Sequence, residues 1–212
     1  MARRSASRPR RPGRGRTALA LAALAGSYLA VRSGASDDLD RYAARLAATP
    51  RGPTTDRVVA AGTDLGSVYG LTGIALALAI SGRRGLAADV AASGLLAWTG
   101  AQAAKPALNR RRPYEADSAD RLVAEPAGSS WPSGHIAVAS ALSTVVAPLL
   151  TRSGRLATGV ATAAIGASRL YVGVHHLTDV VAGWGIGVLA ADGWRALRSR
   201  RVTTPAGAAT DR

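Results

Sequence analysis

The sequence predicts an all-α, integral-membrane bundle of about six transmembrane helices. Three observations predict it. Apolar Ala/Leu/Val/Gly blocks recur along the 212 residues, and hydrophobic residues make up 48% of the chain. Arg-rich joints separate the blocks, so the mean hydropathy is only +0.10. The blocks mostly lack the polar stripe at helical period that a soluble bundle shows, and their Gly and Ala let membrane helices pack closely.

The elements follow in order. Residues 1–16 are an Arg-rich polar tail, expected to be disordered. Thr17 to Val31 is the first apolar block, short against the roughly 20 residues that normally span a bilayer. Its basic start, apolar middle and small Ser33 and Ala35 also fit a signal peptide; an uncleaved anchor is the preferred reading. Residues 32–56 are polar, with a short amphipathic helix over Asp38–Ala48. Its Leu39, Tyr42 and Leu46 fall at helical spacing and suit the membrane interface, although an ordinary solvated loop helix accounts for them equally well. The second block runs from Val58 to Ile80, the third from Leu86 to Ala104 and the fourth from Ile136 to Leu150. The fifth runs from Leu156 to Val174 and the sixth from Val180 to Trp194. Residues 17–200 thus read as one six-helix domain, and 201–212 as a second disordered tail.

The formal net charge is +14, and the pI is about 11.6. Such a balance raises nucleic acid as a partner. The charge sits largely at the two ends and in the joints, as in an inner-membrane protein, so no nucleic-acid partner is expected. The chain has no Cys, which excludes thiol catalysis, Cys-ligated metals and disulfides. The N-terminal tail, Arg83-Arg84, Arg152 with Arg155, and Arg195–Arg201 fall on one side of a six-span threading. That side, with both termini, is expected to be cytoplasmic. Loops 32–57, 105–135 and 175–179 then lie on the outer face. Arg110–Arg112 break the charge rule there, as a functional demand for cations would require.

All 27 basic residues are Arg except Lys105. Seven residues beyond that lone lysine stands Arg112. Ser133, Gly134 and His135 follow, then Arg169, His175 and Asp179. This set joins three cations, two histidines, a hydroxyl, a glycine amide and a carboxylate. It suits holding a phosphoryl group and moving it through a histidine. The threading brings all of them to the outer ends of spans three to six, and polar groups converging on an apolar scaffold make a binding site.

Lys105-x6-Arg112-Pro113, Pro132-Ser133-Gly134-His135 and Ser168-Arg169-x5-His175-x3-Asp179 resemble the three motifs of the type 2 phosphatidic acid phosphatase (PAP2) family. That family shares its motifs with vanadium-dependent haloperoxidases. The resemblance implies a PAP2/haloperoxidase-like helical core. It implies a membrane phosphatase that hydrolyses a lipid-linked phosphate or diphosphate monoester through a phosphohistidine, with no metal and no other cofactor. His175 would be the nucleophile, and Asp179 would accept from its second ring nitrogen, leaving a lone pair free. His135 would protonate the leaving oxygen and then activate water, help typically worth about 10²–10⁴-fold. Lys105, Arg112 and Arg169 would neutralise the phosphoryl oxygens, Arg through a planar fork that can bond two of them. The Ser133 hydroxyl and Gly134 N–H would complete the cradle at a helix start, where the dipole favours anions.

Three alternatives remain at this point: a phosphotransferase using the same histidine, a vanadate-dependent haloperoxidase, and a non-catalytic binder of lipid phosphate. The apolar blocks weigh against the second, which should be larger and soluble, and the undegraded motifs against the third. The expected partners are the membrane and a lipid phosphate such as phosphatidic acid, phosphatidylglycerol phosphate or an undecaprenyl diphosphate carrier; the sequence carries no signal of oligomeric state. Other residues receive blander readings. His176 is a rim residue or substrate contact. Arg110 and Arg111 are solvated charges that attract anions. Ser168 packs or caps, Trp131 and Tyr114 are interface aromatics, and Tyr171 is core. Asp64 and Asp89 pair near span ends. The loop Tyr114–Ser130, with Glu115, Asp117, Asp120 and Glu125, gates or selects substrate.

Overall fold

The computed structural model describes residues 13–48, 52–116 and 119–203, and every regular element among them is helical. Helix α1 (Arg14–Arg32) begins three residues before the expected start at Thr17; residues 1–12 of the N-terminal tail lie outside the described residues. The chain turns at Ser33 and Gly34, and α2 (Asp37–Ala47) leaves at 103° to α1. This is the helix expected over Asp38–Ala48. Its Leu39, Tyr42 and Leu46 are exposed, while Asp40 and Ala44 are buried.

The second apolar block corrects the expectation of one helix over 58–80. Pro53 opens α3 (Pro53–Gly62), a 3₁₀ turn takes Thr63–Gly66, and α4 (Val68–Ile80) departs at 64°. Gly62 and Gly66 weaken a continuous helix. Ser67 then starts a new one, its Oγ accepting the Gly70 N–H at 3.2 Å. Beyond it come α5 (Arg84–Ala104), α6 (Gly134–Val146), α7 (Arg152–Tyr171) and α8 (Leu177–Thr203). α6 stops before the expected Leu150 because Pro148, which lacks an N–H, falls in a 3₁₀ turn over Ala147–Leu149. With α3 and α4 counted as one broken element and the short α2 set aside, six members remain, as expected. Residues 204–212 lie outside the described residues.

Among the described residues no single helix is long and apolar enough to cross a bilayer. The bent pairs α1–α2 and α3–α4 reach that length and hydropathy only together. Charges inside the longer helices explain the shortfall: Arg84 and Asp89 on α5, Arg152, Arg155 and Arg169 on α7, Asp179 and Asp192 on α8. The packing nonetheless puts large apolar side chains on the surface and mostly small ones inside. Leu76, Ile80, Leu95, Leu156 and Val160 face outward, while the buried cluster of α4, α5, α6 and α8 is built largely from Ala97, Ala101, Ala137, Val138, Ala141 and Ala191. Small residues inside let the backbones close up.

α8 is the central member and packs against α1, α5 and α6. Gly183 makes that approach close: a Cβ there would overlap the Ser133 carbonyl oxygen. The Ser133 N–H in turn donates to the Asp179 carbonyl at 3.0 Å. The start of α6 is thereby fixed to the start of α8. At the far end, Arg16 pairs with Asp192, and Thr17 Oγ1 donates to the same carboxylate at 3.0 Å. Trp194 Nε1 donates to Asp89 at 2.8 Å, which gives Asp89 a partner near a span end. Arg195 Nη2 donates to the Thr144 carbonyl at 2.6 Å. The start of α1 and the end of α8 therefore share one end of the bundle.

Candidate active site

The opposite end holds a cavity of about 540 Å³. Six of the eight residues singled out in the sequence line it: Lys105, Arg112, Gly134, His135, Arg169 and His175. The other two, Ser133 and Asp179, are fully buried behind them. Val68, Tyr69, Trp98 and Gln102, from α4 and α5, complete the wall. A second cavity, about 350 Å³ between α6, α7 and α8, has no charged residue in its lining.

Each cation is held by one part of its side chain. Lys105, in a 3₁₀ turn after α5, donates through Nζ to the Ser129 carbonyl. Burial, with the neighbouring Arg112 charge, pushes its ammonium down to about 8. Arg112 donates through Nη1 to the Val174 carbonyl at 2.8 Å and through Nη2 to the carbonyls of Ala127, Gly128 and Ser129 at 3.1 to 3.3 Å. Its terminal fork is thus engaged by the loop and is not the free two-pronged donor expected from sequence; Nε has no partner among the described residues. Arg169 donates through Nη1 to Thr63 Oγ1 at 2.9 Å, and its Nε is likewise unpartnered. Ser133 stands at the N-cap of α6 yet makes no cap with its side chain; the buried Oγ is unpartnered. A serine that declines to cap leaves its hydroxyl, beside the first N–H groups of a 13-residue helix, for an anion.

The chain reaches His175 through a tight exit from α7. Gly173 has φ +74°, and a Cβ there would overlap the Asp120 carbonyl, so only glycine fits. The N–H groups of Val174 and His175 then both donate to the Arg169 carbonyl at 3.3 Å, tying His175 to the Arg169 backbone. His175 Nδ1 lies 3.5 Å from Asp179 Oδ2, an ion-pair separation slightly longer than a good hydrogen bond, and has no nearer partner. Asp179 one helical turn on is therefore placed to orient Nδ1–H and leave Nε2 as the lone pair. Burial pushes His175 down to about 4, against the pull of Asp179, so the imidazole is neutral at physiological pH. His135 Nε2 is 3.7 Å from Asp64 Oδ1 on the turn between α3 and α4.

Sequence reasoning missed the residues that hold these groups. Arg110, read as a solvated charge, is only 11% exposed and bridges two carboxylates. Its Nη1 donates to Asp179 Oδ1 and Nη2 to Asp40 Oδ2, both at 2.7 Å. Burial opposes its charge, but Asp179 and Asp40 outweigh that and raise its pKa. The basic run Arg110–Arg112, which breaks the expected charge pattern, was the available signal. Thr63 and Asp64 sit on the 3₁₀ break, whose signal was the Gly62 and Gly66 pair. Thr63 Oγ1 also lies 2.7 Å from Ser168 Oγ, so Ser168 packs against the Arg169 support. Trp131, read as an interface aromatic, is 3% exposed, with Nε1 donating to Ser27 Oγ at 3.2 Å; the cis Trp131–Pro132 peptide precedes the Ser133 turn. Tyr114 stacks under Arg121 at 5.0 Å. His176 donates its N–H to Asp179 Oδ2 at 2.8 Å, a third tie on that carboxylate. In the loop, Glu115 Oε2 accepts the Arg112 N–H at 2.7 Å, while Asp117 lies outside the described residues.

Comparisons place this geometry among known folds. The chain superposes on a transmembrane PAP2 type phosphatidylglycerolphosphate phosphatase from Bacillus subtilis with a TM-score of 0.73 and 22% identity, covering 87% of this chain and 96% of that one. Aquifex aeolicus LpxE gives a TM-score of 0.65 at 25% identity, covering 77% of this chain and 95% of its own. No curated protein matches the sequence significantly. The profile of the PAP2 superfamily matches residues 84–202, which take in α5 to α8 and all three motifs. The chain therefore belongs to the PAP2 superfamily and is a membrane phosphatase.

Proposed function

We propose that this phosphatase hydrolyses a lipid-linked phosphate or diphosphate monoester through a phosphohistidine on His175, without a metal. The observation that carries the proposal is the set of buried atoms at one end of the bundle that have no hydrogen-bond partner among the described residues: Arg112 Nε, Arg169 Nε, Ser133 Oγ and His135 Nε2. Buried polar atoms without partners are costly in a fold unless a ligand uses them. Three cations, a hydroxyl and a helix start suit the oxygens of a phosphoryl group, and they supply the electrostatic stabilisation that a metal would otherwise give.

His175 Nε2 attacks phosphorus and the P–O ester bond breaks. The His135 ring gives its proton to the departing oxygen. Water then attacks the phosphohistidine while His135 takes a proton from it. The P–N bond breaks, phosphate leaves and His175 returns neutral. Asp179 holds Nδ1–H and stabilises the charge that develops on the ring.

The cavity wall of Val68, Tyr69 and Trp98 is apolar beside a cationic floor, which favours a headgroup with a hydrocarbon tail. The Arg16–Asp192 pair ties the start of α1 to the end of α8, opposite the cavity. With the Arg-rich ends cytoplasmic, the cavity faces the outer side. Phosphatidic acid, phosphatidylglycerol phosphate and polyprenyl diphosphate are the candidate substrates. The test is phosphate release from that panel by purified protein with EDTA present. Release that persists in EDTA and disappears in His175→Ala, while the variant stays folded in detergent, supports the mechanism. Turnover retained by the variant would refute the nucleophile.

A further inference from the structure

We infer that Asp40, on the short helix α2, is a positioning residue for the catalytic dyad and acts on His175 through Arg110 and Asp179. It rests on the phosphatase reading above. Asp40 is 2% exposed, and both of its oxygens are engaged. Oδ1 accepts the Thr178 N–H at 3.0 Å. Oδ2 accepts Thr178 Oγ1–H at 2.8 Å and Arg110 Nη2 at 2.7 Å. The other prong of the same guanidinium, Nη1, reaches Thr178 Oγ1 and Asp179 Oδ1, each at 2.7 Å. A planar fork bonded at both ends has no rotational freedom left.

The arrangement has a directional consequence. Asp179 must present Oδ2 to His175 Nδ1 at a fixed angle, and Arg110 on Oδ1 sets that angle. Arg110 alone could swing. Asp40 stops it by holding the second prong. Asp40 lines no part of the cavity, so substrate binding does not depend on it. The helix that carries it stands 103° off α1 across the outer end of the bundle, and lies outside the 84–202 segment that holds the three motifs. The N-terminal segment is thereby a component of the catalytic apparatus and more than an anchor.

The test is a double-mutant cycle on Asp40→Asn and Arg110→Gln in the full chain, assayed in detergent micelles with dioctanoyl phosphatidic acid and by binding of orthovanadate. Asp40→Asn is expected to lower kcat about 10- to 100-fold, the usual cost of losing a group that orients a reacting side chain, with KM within about twofold. The double variant is expected to lose less than the product of the two single losses, because Asp40 and Arg110 hold the same carboxylate, and the bonds from Asp40 to Thr178 carry the remainder. Asp40→Glu should recover part of the rate. Losses that multiply, a wild-type kcat in Asp40→Asn, or a rise in KM at constant kcat would overturn the proposal. Should Asp40→Asn fail to fold, Arg110→Lys serves: a single ammonium nitrogen does not reproduce the rigid two-pronged fork, so the same fall in kcat is expected, and an unchanged kcat refutes it. Vanadate separates the two readings. A wild-type protein that neither hydrolyses the lipid nor binds vanadate refutes the phosphatase reading and this one with it, whereas wild-type vanadate binding weakened by Asp40→Asn supports positioning whatever the lipid.

Discussion

The one lysine in the chain predicts an alkaline limb in the pH profile. Burial beside Arg112 brings the Lys105 ammonium down from the ordinary 10.5 to about 8. The lowered value means that the empty cradle loses one of its three cations as pH rises through 8, while Arg112 and Arg169 keep theirs. At pH 7 about nine tenths of the ammonium is charged and at pH 9 about one tenth, so kcat/KM, which reports the free enzyme, should fall about tenfold between them. An unperturbed lysine would give almost no fall over that range. A bound phosphoryl anion favours the charged form, so the limb in kcat should lie at higher pH than the limb in kcat/KM. The assay is phosphate release from a lipid phosphate in detergent micelles between pH 6 and 10, with Lys105→Arg alongside. Arginine stays charged throughout, but its guanidinium does not reproduce a compact ammonium seated on the Ser129 carbonyl. The variant should therefore be slower at pH 7 and flat where the wild type falls. A limb near pH 8 that persists in Lys105→Arg would show that another group, or the substrate itself, titrates there. It would remove the lysine from the argument.

Three further outcomes follow from the geometry. Asp179→Asn keeps the volume but loses the carboxylate that faces Nδ1; kcat should fall on the order of 10³–10⁴-fold, as for the aspartate of a catalytic triad, with little change in KM, and a rate near wild type would dissolve the dyad. Thr63→Val removes the hydroxyl that accepts from Arg169 Nη1 at 2.9 Å. A buried donor without a partner costs about 1–3 kcal/mol, so both a lower Tm in detergent and a several-fold higher KM are expected, and an unchanged KM would separate Thr63 from the phosphate site. Gly183→Ala places a Cβ on the Ser133 carbonyl, which should cost about 1–3 kcal/mol as overpacking and lower kcat by moving the Ser133 turn away from Asp179; unchanged Tm and kcat would refute the close approach.

Much of this was legible in the sequence because membrane packing and the site both write local patterns. Apolar blocks fixed the number of bundle members, and the 105–179 motif spacings named the residues that meet at the cavity. What could not be read is instructive. The break at Thr63–Gly66 was hidden because the apolar second half of α3 runs into the apolar α4 and the two look like one span, and hydropathy does not register a 64° bend. Arg110 and Asp40 were hidden for another reason. They are 70 residues apart, and each looks like an ordinary surface charge in its own segment; only tertiary contact turns the two into a buried pair. Trp131 was misread because an aromatic near a loop suits the interface equally well until Ser27 supplies its partner. For Arg110, Asp40 and Trp131 the missing information was a long-range contact, which local pattern cannot encode.

The same residues show how a helical rim becomes a site. Each key group is divided between an anchored half and a free half. Arg169 is held at Nη1 by Thr63 and free at Nε; Arg112 is held at both Nη atoms by carbonyls and free at Nε. Ser133 is held by its N–H on the Asp179 carbonyl and free at Oγ. His175 faces Asp179 with Nδ1, which leaves Nε2. Groups fixed in this way need little reorganisation when charge develops on a phosphoryl oxygen, and that absence of reorganisation is the main source of electrostatic catalysis. The division also explains why the supports are spread over α2, the 63–66 turn and the 127–129 loop and not gathered in the motifs. A motif can specify which atoms face the phosphate, but the opposite side of each group must be held by whatever chain packs behind it. In this fold that chain is the N-terminal third for Arg169 and Arg110, and the 127–129 loop for Lys105 and Arg112.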